Sequence, residues 1–234
     1  MTKTALVTGA NKGIGYEIAK NLLIKGYTVL VGSRDESRGQ KAVDELKTFG
    51  DAKLQIIDMS KVNELAKIAE DITTQHPDFS LLVNNAGIAG DMGKTAWEFT
   101  TDELVETYTV DFLGPYELSR SLLPILDKNN GQILSMTVPI EPNSFFHPFG
   151  YLAAKAPLNV MTKNWHVEFK AQNKAIEIFA FIPGGVTTDL NNHMAGPGFK
   201  TAAEAGKLTV DLITDDTDRS GQVINFDGNP ISYD

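Results

Sequence analysis

The sequence predicts an α/β fold: a single doubly wound domain with a mostly parallel seven-stranded sheet and helices on both faces. Short apolar runs alternate with longer helical patterns along all 234 residues. Loop-rich stretches follow predicted strands, and the first strand leads into a glycine-rich turn. Alternation of this kind implies right-handed crossovers between parallel strands. The length suits one domain of this class, and we predict a single domain over residues 1–234.

The predicted elements follow the apolar patterning along the chain. The candidate strands are Thr4–Thr8, Thr28–Gly32, Lys53–Ile57, Ser80–Asn84, Gln132–Met136, Ile176–Ile182 and Val223–Phe226. The candidate helices lie between them, over residues 14–25, 36–48, 61–74, 101–127, 151–171 and 201–213. Two of these helices begin with the residue pairs of a capping box. Those pairs are Thr100 with Glu103 and Thr201 with Glu204.

Three loop-rich stretches, residues 86–99, 138–150 and 184–200, each follow a predicted strand. The carboxyl ends of parallel strands meet at one edge of an open α/β sheet, and ligands bind in the crevice outside that edge. We therefore expect the functional residues of this chain on these loops and on the glycine-rich turn.

Composition and charge exclude several classes of function. A net charge of −9 argues against nucleic acid or an anionic membrane as a partner, because both need a basic surface. The chain has no cysteine, which excludes disulfides and thiolate chemistry and leads us to expect a reducing cytoplasm. No apolar run reaches the roughly 20 residues of a membrane span, and no signal peptide fits the first residues. We expect no metal site, since His147 has no second ligand at suitable spacing.

The glycine-rich turn runs from Thr8 to Gly15 with the sequence TGANKGIG. Glycines let the backbone approach a pyrophosphate closely, and a helix N-terminus offers free N–H groups and the positive end of its dipole. The turn therefore predicts a Rossmann-type dinucleotide site, although a plain strand–helix turn can carry the same residues. The glycines are spaced by three residues and then by one, which differs from the usual Rossmann fingerprint.

Further motifs follow at the ends of the predicted elements. Asn84–Gly87 (NNAG) follows the fourth strand, Tyr151–Lys155 (YLAAK) opens a helix, and Pro183–Thr188 (PGGVTT) follows the sixth strand. Together with the glycine turn, these motifs resemble those of the short-chain dehydrogenase/reductase family over essentially the whole chain. The opening third is similar to the carbonyl reductases of that family, through Asn11–Gly15 and Arg34–Gln40. The resemblance implies hydride transfer between a nicotinamide dinucleotide and a carbonyl or secondary alcohol.

The resemblance also implies which residues hold the dinucleotide. The three glycines of the turn would cradle the pyrophosphate, and Asp58 would bind the adenine amino group unless it is only a solvated strand end. Asn84 would line the adenosine ribose, whereas Asn85 would stabilise the strand-end turn. Thr188 and the backbone of Val186 would hold the nicotinamide carboxamide. The expected cofactor-binding residues are Gly9, Asn11, Lys12, Gly13, Ile14, Gly15, Ser33, Arg34, Asp58, Asn84, Ala86, Gly87, Tyr151, Lys155, Pro183, Gly184, Val186 and Thr188.

Charges near the end of the second strand favour NADP over NAD. An NAD-binding domain usually places an acidic residue there, about 20 residues after the glycines, to bind the ribose 2′-hydroxyl. The corresponding residue here is Ser33, with Arg34 next to it and Lys12 in the glycine turn. Two cations suit the 2′-phosphate of NADP through charge-assisted hydrogen bonds. If the strand ends two residues later, Asp35 takes this position and favours NAD.

Tyr151 and Lys155 form the predicted chemical site. In the family that this chain resembles, a tyrosine protonates the carbonyl oxygen as the hydride arrives. A phenol with a pKa near 10 needs a neighbouring positive charge to do so at neutral pH. Lys155 lies four residues later, on the same helix face, and would also hold the nicotinamide ribose. The alternative interpretation is an unrelated surface pair of tyrosine and lysine.

Two positions depart from the family pattern. Val138 stands where the family has a serine, and valine cannot donate a hydrogen bond to the substrate oxygen. Thr137 is one residue away, on the opposite side of the strand, and Ser144 in the next loop would have to move in. Asp111 replaces the family asparagine, and it either holds a relay water leading to Lys155 or simply pairs with a lysine. The predicted catalytic residues are Tyr151, Lys155 and Asp111.

Three phenylalanines near Tyr151 bear on the substrate. Phe145, Phe146 and Phe149 suggest an apolar pocket, or else packing against the 184–200 loop or a second subunit. The leading interpretation is an NADP-dependent oxidoreductase acting on a small apolar carbonyl or alcohol. The alternative is a dinucleotide-binding sensor or interaction protein with little catalysis, an interpretation that only the two departures favour.

The sequence also predicts assembly. Carbonyl-reductase-like members of the family are monomeric when an insertion precedes the tyrosine. Only twelve residues separate Val138 from Tyr151, so no such insertion is present. We therefore expect a homodimer or homotetramer formed through the helices over residues 101–127 and 151–171.

Overall fold

A computed structural model describes residues 3–141 and 148–232 of the chain. The strands of this part are β1 (Thr4–Val7), β2 (Thr28–Ser33), β3 (Ala52–Ile56), β4 (Phe79–Asn84), β5 (Gln132–Met136), β6 (Glu177–Phe181), β7 (Val186–Thr187), β8 (Lys200–Thr201) and β9 (Val223–Ile224). Seven of them form the main sheet, and their predicted bounds are correct to within two residues at each end. Strands β7 and β8 form a separate pair inside a stretch that the sequence predicted to be loop.

The helices are α1 (Gly13–Ile24), α2 (Glu36–Leu46), α3 (Val62–Gln75), α4 (Thr101–Tyr108), α5 (Gly114–Lys128), α6 (Phe149–Lys155), α7 (Pro157–Ala171) and α8 (Ala202–Thr214). Both predicted capping boxes are present, at the starts of α4 and α8. The predicted helix over 101–127 is interrupted by a π turn at Thr109–Leu113. Pro115 lacks the N–H that would bond to the carbonyl of Asp111, which favours a departure from the regular α-helical pattern at this point.

The predicted helix over 151–171 is also divided, into α6 and α7. It begins two residues earlier than expected, at Phe149, and α7 begins at Pro157. A proline suits the first turn of a helix because no N–H is required there. The division places Tyr151 and Lys155 on a short helix of their own.

The seven strands of the main sheet are all parallel and stand in the order β3-β2-β1-β4-β5-β6-β9. This is the doubly wound arrangement that the alternating pattern predicted. The order reverses between β1 and β4, so the connections that leave these two strands diverge to opposite faces of the sheet. A crevice opens at such a reversal, outside the carboxyl ends of the strands.

Apolar side chains cover both faces of the sheet. Successive residues of β1 alternate between the faces, because strand side chains have a period of two. Ala5 and Val7 belong to the buried cluster that includes α1, α2 and α8. Leu6 belongs to the cluster on the other face, which includes α3, α5 and α7. Burial on both faces fixes the register of β1, and with it the position of the glycine turn that follows.

Candidate active site

A cleft of about 540 Å³ lies at the carboxyl edge of the sheet, beside the reversal between β1 and β4. Its volume is within the usual range for ligand pockets. The structure brings most of the predicted cofactor residues to its wall, namely Gly9, Asn11, Lys12, Gly13, Ile14, Gly15, Ser33, Arg34, Asp58, Ala86, Gly87, Tyr151, Lys155, Pro183 and Thr188. One cleft therefore reaches from the glycine turn to the predicted chemical site.

The glycine turn has a shape that side chains would block. Gly9 and Gly13 have φ angles of +64° and +61°, a region that residues with a side chain rarely adopt. A Cβ atom at Gly15 would lie 2.4 Å from Asn85 Nδ2 and 2.6 Å from the Gly9 carbonyl oxygen. Helix α1 begins at Gly13, so its N-terminal N–H groups lie at this wall. The turn is therefore suited to hold a diphosphate.

The neighbouring asparagines have different positions. Asn85 lines the cleft, and its Nδ2 donates to the Thr8 carbonyl at 2.9 Å, which ties the ends of β1 and β4 together as expected. Asn84 is buried and its Nδ2 donates to Ser119 Oγ on α5 at 3.0 Å. Asn84 is therefore not among the described residues that line the cleft, and its role at the ribose stays a prediction. Strand alternation turns Asn84 toward α5, away from the cleft.

Gly184 and Val186, which we expected to bind cofactor, lie behind the wall of the cleft. Gly184 has a φ of +77° and packs against Phe226, where a Cβ atom would approach to 3.1 Å. Val186 is buried, and its carbonyl accepts from Asn191 Nδ2 at 3.0 Å. Neither is among the described residues that line the cleft. They shape the loop that presents Pro183 and Thr188.

The end of β2 carries the charges that bear on cofactor choice. The strand ends at Ser33, so Asp35 lies beyond it and caps α2, accepting from the Arg38 N–H at 2.8 Å. That hydrogen bond lowers the pKa of Asp35 below its ordinary value. Arg34, Asp35 and Arg38 all line the cleft. Arg38 was not among the predicted cofactor residues, although its place three residues after a helix-capping aspartate puts it in the first turn of α2.

Lys12 has a different partner from the one expected. Its Nζ lies 2.6 Å from Asp189 Oδ2, across the cleft, and Asp189 also contacts His193 Nε2 at 3.0 Å. In this structure the lysine therefore faces the loop after Thr188 rather than the end of β2. Asp58 lines the cleft, and its Oδ1 accepts from the Ser60 hydroxyl at 2.8 Å.

The predicted chemical site is at the other end of the cleft. Lys155 is buried, and its Nζ lies 5.9 Å from the centre of the Tyr151 ring. The ammonium donates to the carbonyls of Ala86 at 3.2 Å and Met136 at 3.3 Å. Burial lowers the pKa of Lys155, whereas burial and the charge of Asp111 raise the pKa of Tyr151. We expected the charge of Lys155 to lower the pKa of Tyr151, but that pKa is raised.

Asp111 lies on the π turn and is fully buried next to Lys155. Its Oδ1 accepts from the Ile88 N–H at 2.9 Å. Burial raises the pKa of this carboxyl from 3.8 to about 6, although the charge of Lys155 and the Ile88 hydrogen bond act in the opposite direction. Asp111 is not among the described residues that line the cleft, so this predicted catalytic residue lies behind its wall, beside Lys155.

Thr137 and Val138 are arranged differently from our expectation. Thr137 lines the cleft, and its hydroxyl donates to the Lys155 carbonyl at 3.2 Å. Val138 is buried and is not among the described residues that line the cleft, while its carbonyl accepts from Asn159 at 3.0 Å. Val138, at the position of the family serine, is therefore not placed on the described wall of the cleft. Alternation along the extended chain places the threonine there instead.

Part of the following loop lies outside the described residues, including Ser144, Phe145, Phe146 and His147. Phe149 is described, and its ring centre lies 6.0 Å from that of Phe99. Within residues 3–141 and 148–232, no group of three metal-binding side chains comes together. None of the helices in the described part is long and apolar enough to cross a membrane.

The raised pKa of Asp111 predicts how the stability of the folded protein depends on pH. Because folding raises the pKa of Asp111 from 3.8 to about 6, its protonated form is favoured in the folded state. The stability that protonated Asp111 contributes to the folded state is complete below pH 4 and is lost as the pH rises through 6. Asp111→Asn keeps an acceptor for Ile88 but cannot ionise. We expect its unfolding free energy to gain on the order of 3 kcal/mol relative to wild type between pH 4 and pH 7, measured by urea denaturation.

The control for this measurement is Glu106→Gln, which changes an exposed carboxylate on the adjacent helix. Its stability should follow that of the wild type at both pH values. A constant difference between Asp111→Asn and wild type across this pH range would contradict the assignment.

Comparisons with known proteins agree with this geometry. The family model for short chain dehydrogenases matches residues 3–196. An uncharacterized oxidoreductase of Bacillus subtilis is 29% identical over 195 residues, which cover 83% of this chain and 70% of that protein. A (+)-neomenthol dehydrogenase of Arabidopsis thaliana is 35% identical over 143 residues, 52% of this chain and 48% of that protein.

Solved structures have the same fold. The NADPH-bound carbonyl reductase from chicken fatty liver superposes with a TM-score of 0.87 at 21% identity, covering 99% of both chains. A 7α-hydroxysteroid dehydrogenase complexed with NADH superposes with a TM-score of 0.83 at 23% identity, covering 98% of this chain and 94% of that one. With its parallel sheet, its glycine turn and its matched family model, the chain belongs to the short-chain dehydrogenase family.

Proposed function

We propose that this oxidoreductase depends on NADP and transfers hydride between the nicotinamide and the carbonyl or secondary alcohol of a small apolar substrate. The observation that carries the proposal is the single cleft that joins the glycine turn to Tyr151 and Lys155. A dinucleotide would place its diphosphate at one end and its nicotinamide at the other. The same reach makes Thr188, which lines the cleft, the group expected near the carboxamide.

The residues of the chain supply the proton and the orientation. Bound NADPH would supply the hydride that the carbonyl carbon accepts. Tyr151 would donate its phenolic proton to the carbonyl oxygen in the same step. Lys155, held by the backbone carbonyls of Ala86 and Met136, would keep a positive charge beside the nicotinamide ribose. In the reverse direction, the Tyr151 phenolate would accept the alcohol proton.

The charges at the end of β2 support NADP. Arg34 and Arg38 line the cleft next to Ser33, where an NAD-binding domain usually has an acid. Asp35 caps α2 and is paired with Arg38, whose Nε lies 3.3 Å from it. A 2′-phosphate would meet two guanidinium groups that are well suited to bind it. Among the solved structures similar to this chain, one holds NADPH and another holds NADH. The proposal of NADP therefore depends on the charges of Arg34 and Arg38.

Apolar side chains support a small apolar substrate. Ile88, Val110, Met136 and Leu190 line the same cleft as Tyr151. The relative from Arabidopsis thaliana is named as a neomenthol dehydrogenase. A carbonyl compound with an apolar body would bury its surface against these side chains while its oxygen faces the phenol.

A binding protein with little catalysis is the second candidate, and Val138 favours it. The loss of one placed donor to the substrate oxygen typically lowers a rate by ~10²–10³-fold, which weakens an enzyme without abolishing its activity. Thr137 lines the cleft, and its hydroxyl donates to the Lys155 carbonyl at 3.2 Å. We therefore propose an enzyme rather than a binding protein.

We also propose that the chain forms a homodimer or homotetramer. Val105, Tyr108 and Leu113 on α4 and the π turn expose much of their surface, as do Val160 and Val167 on α7. A contiguous patch of exposed apolar side chains is typical of a protein interface, and assembly would cover these five side chains. These side chains lie within residues 101–127 and 151–171, the two helical ranges through which the sequence predicted assembly.

The first prediction tests catalysis. With NADPH and a panel of small ketones and aldehydes, the wild type should oxidise NADPH, followed by the loss of its absorbance. Tyr151→Phe removes the proton donor and should lower turnover by at least ~10²-fold, a typical value for general acid catalysis. Its NADPH affinity should stay within a few-fold of wild type. Equal turnover by Tyr151→Phe would exclude the phenol as the proton donor, and NADPH binding without turnover of any carbonyl would favour the binding protein.

The second prediction tests cofactor preference by fluorescence titration. NADPH should bind more tightly than NADH, because only NADPH carries the phosphate that Arg34 and Arg38 would meet. Arg34→Asp should lower NADPH affinity by about tenfold or more, since it replaces a favourable charge by a repulsive one. Lys163→Asp, a charge change on α7, is the matched control and should leave the preference intact. Equal affinities for the two cofactors in the wild type would refute the NADP assignment.

The third prediction tests assembly by light scattering. We expect at least twice the chain mass of 25.5 kDa at micromolar concentration. Tyr108→Glu with Val167→Glu places charges on the exposed apolar surface and should shift the protein toward the monomer. A wild-type mass equal to that of one chain would contradict the proposal.

A further inference from the structure

The segment between β7 and β8, residues 188–199, begins at the cleft, and we call it the strap. Its two ends are held together, because β7 and β8 pair in parallel. Helix α8, which follows β8, packs closely on α1, so that a Cβ atom at Gly206 would lie 2.5 Å from Glu17 Cβ. Thr188 and Asp189, the first two residues of the strap, line the cleft. The strap therefore starts in the wall of the cleft from a firmly held base.

Hydrogen bonds within the strap hold Asp189 in place. Asn191 is buried, and it accepts from the Thr188 N–H at 3.2 Å while its Nδ2 donates to the Val186 carbonyl at 3.0 Å. His193 has a φ of +56°, a conformation uncommon for residues with a side chain. Its Nε2 lies 3.0 Å from Asp189 Oδ1. The position of the carboxylate is thus set by the fold of the strap itself.

Lys12 joins the strap to the glycine turn. It is the residue before α1 begins, and its Nζ donates to Asp189 Oδ2 at 2.6 Å. A Cβ atom at Gly13 would lie 3.8 Å from Thr188 Cγ2, which is ordinary van der Waals contact. Among the hydrogen bonds of the described residues, the Lys12–Asp189 bond is the one that links the strap to the glycine turn. This bond and the neighbouring contact bring the strap against the diphosphate end of the cleft.

The Lys12–Asp189 ion pair lies at the rim of the cleft. Both residues line the cleft, and their side chains are 57% and 51% exposed. A single exposed ion pair contributes little to the stability of a fold. The lysine is directed to the strap, whereas Arg34 and Arg38 line the cleft at the end of β2. These positions give Lys12 a role different from that of the two arginines.

We propose that Lys12 and Asp189 are positioning residues, whose ion pair holds the strap against the glycine turn and thereby retains a bound dinucleotide. The inference rests on the proposed function, because it takes the glycine turn as the diphosphate site. A dinucleotide that leaves this site has to part the strap from the turn, which breaks the ion pair. NADPH and NADH have the diphosphate in common, so the retention is equal for the two. Arg34 and Arg38 remain the groups that distinguish them.

The variant Asp189→Asn gives the sharpest test, because charge alone and the proposed contact predict opposite results. The substitution removes a negative charge from the cleft wall, which by charge alone would slow the loss of an anionic dinucleotide. Loss of the strap contact should instead speed dissociation by about two- to fivefold, the range that one exposed ion pair can supply. The rate is measured by stopped flow, as excess NADP⁺ or NAD⁺ displaces fluorescent NADPH or NADH.

Further variants separate the ion pair from a phosphate contact. Lys12→Gln should speed the dissociation of NADPH and of NADH by similar factors, whereas Lys12→Arg, which keeps the charge, should resemble wild type. Combining Lys12→Gln with Asp189→Asn should have no larger effect than either change alone, because both remove the same interaction. The matched control is Asp211→Asn, which breaks an exposed ion pair with Lys207 on α8. Its dissociation rates should equal those of wild type.

Hydrogen exchange of the cofactor-free protein provides a readout that depends on no dinucleotide. The amides of the strap should exchange faster in Asp189→Asn than in wild type, while Asp211→Asn leaves them unchanged. Unchanged or slower dissociation in Asp189→Asn, an effect of Lys12→Gln confined to NADPH, or unchanged strap exchange in Asp189→Asn would each overturn the inference. Failure of the proposed function is distinct, since neither dinucleotide would then bind although the exchange of the strap still differed.

Discussion

The hydrogen bonds between the ends of β1 and β4 are the constraint on which the site depends. The Thr8 hydroxyl accepts from the N–H groups of Asn85 and Ala86, both at 3.0 Å, and Asn85 Nδ2 donates to the Thr8 carbonyl. The sheet order reverses between these two strands, so their outgoing chains diverge. The hydrogen bonds hold the glycine turn against the NNAG segment where that divergence starts. A Cβ atom at Gly9 would lie 3.0 Å from Ala86 Cα, which shows how closely the two segments pack.

The chemical end of the cleft depends on the same packing. The NNAG segment supplies the Ala86 carbonyl to Lys155, and the following Ile88 N–H binds Asp111. Gly87 between them leaves room for both side chains. A single stretch of backbone thus places the glycine turn, the lysine and the carboxylate relative to one another.

The fold and much of the site were predictable from sequence because they depend on local patterns. Apolar periodicity found all seven strands of the main sheet, and the order of short motifs placed the glycine turn and Tyr151 on one edge. The errors arose where contacts distant in sequence decide the outcome. Asn84 faces α5 because side chains alternate along β4. The NNAG motif does not reveal which of its residues points toward the core. Lys12 meets Asp189, which is 177 residues away.

Local chemistry explains the other differences. The π turn that carries Asp111 precedes Gly114-Pro115, and the missing proline N–H is visible in the sequence, but the inward direction of the carboxylate is not. Arg38 was missed because its relation to the cleft depends on where β2 ends and α2 begins. The assignment of Val138 to the wall followed alignment with the family, whereas the extended chain after β5 turns Thr137 to the cleft instead.

The central claim is that the glycine turn and Tyr151 belong to one dinucleotide site. The most direct measurement is a fluorescence titration of the protein with NADPH, for wild type and Gly15→Val, with circular dichroism to confirm that both are folded. We expect saturable binding of one NADPH per chain in wild type. We expect at least a tenfold loss of affinity in Gly15→Val, whose side chain would collide with Asn85 and the Gly9 carbonyl. Absence of saturable binding in wild type, or equal affinity in a folded Gly15→Val, would contradict this claim.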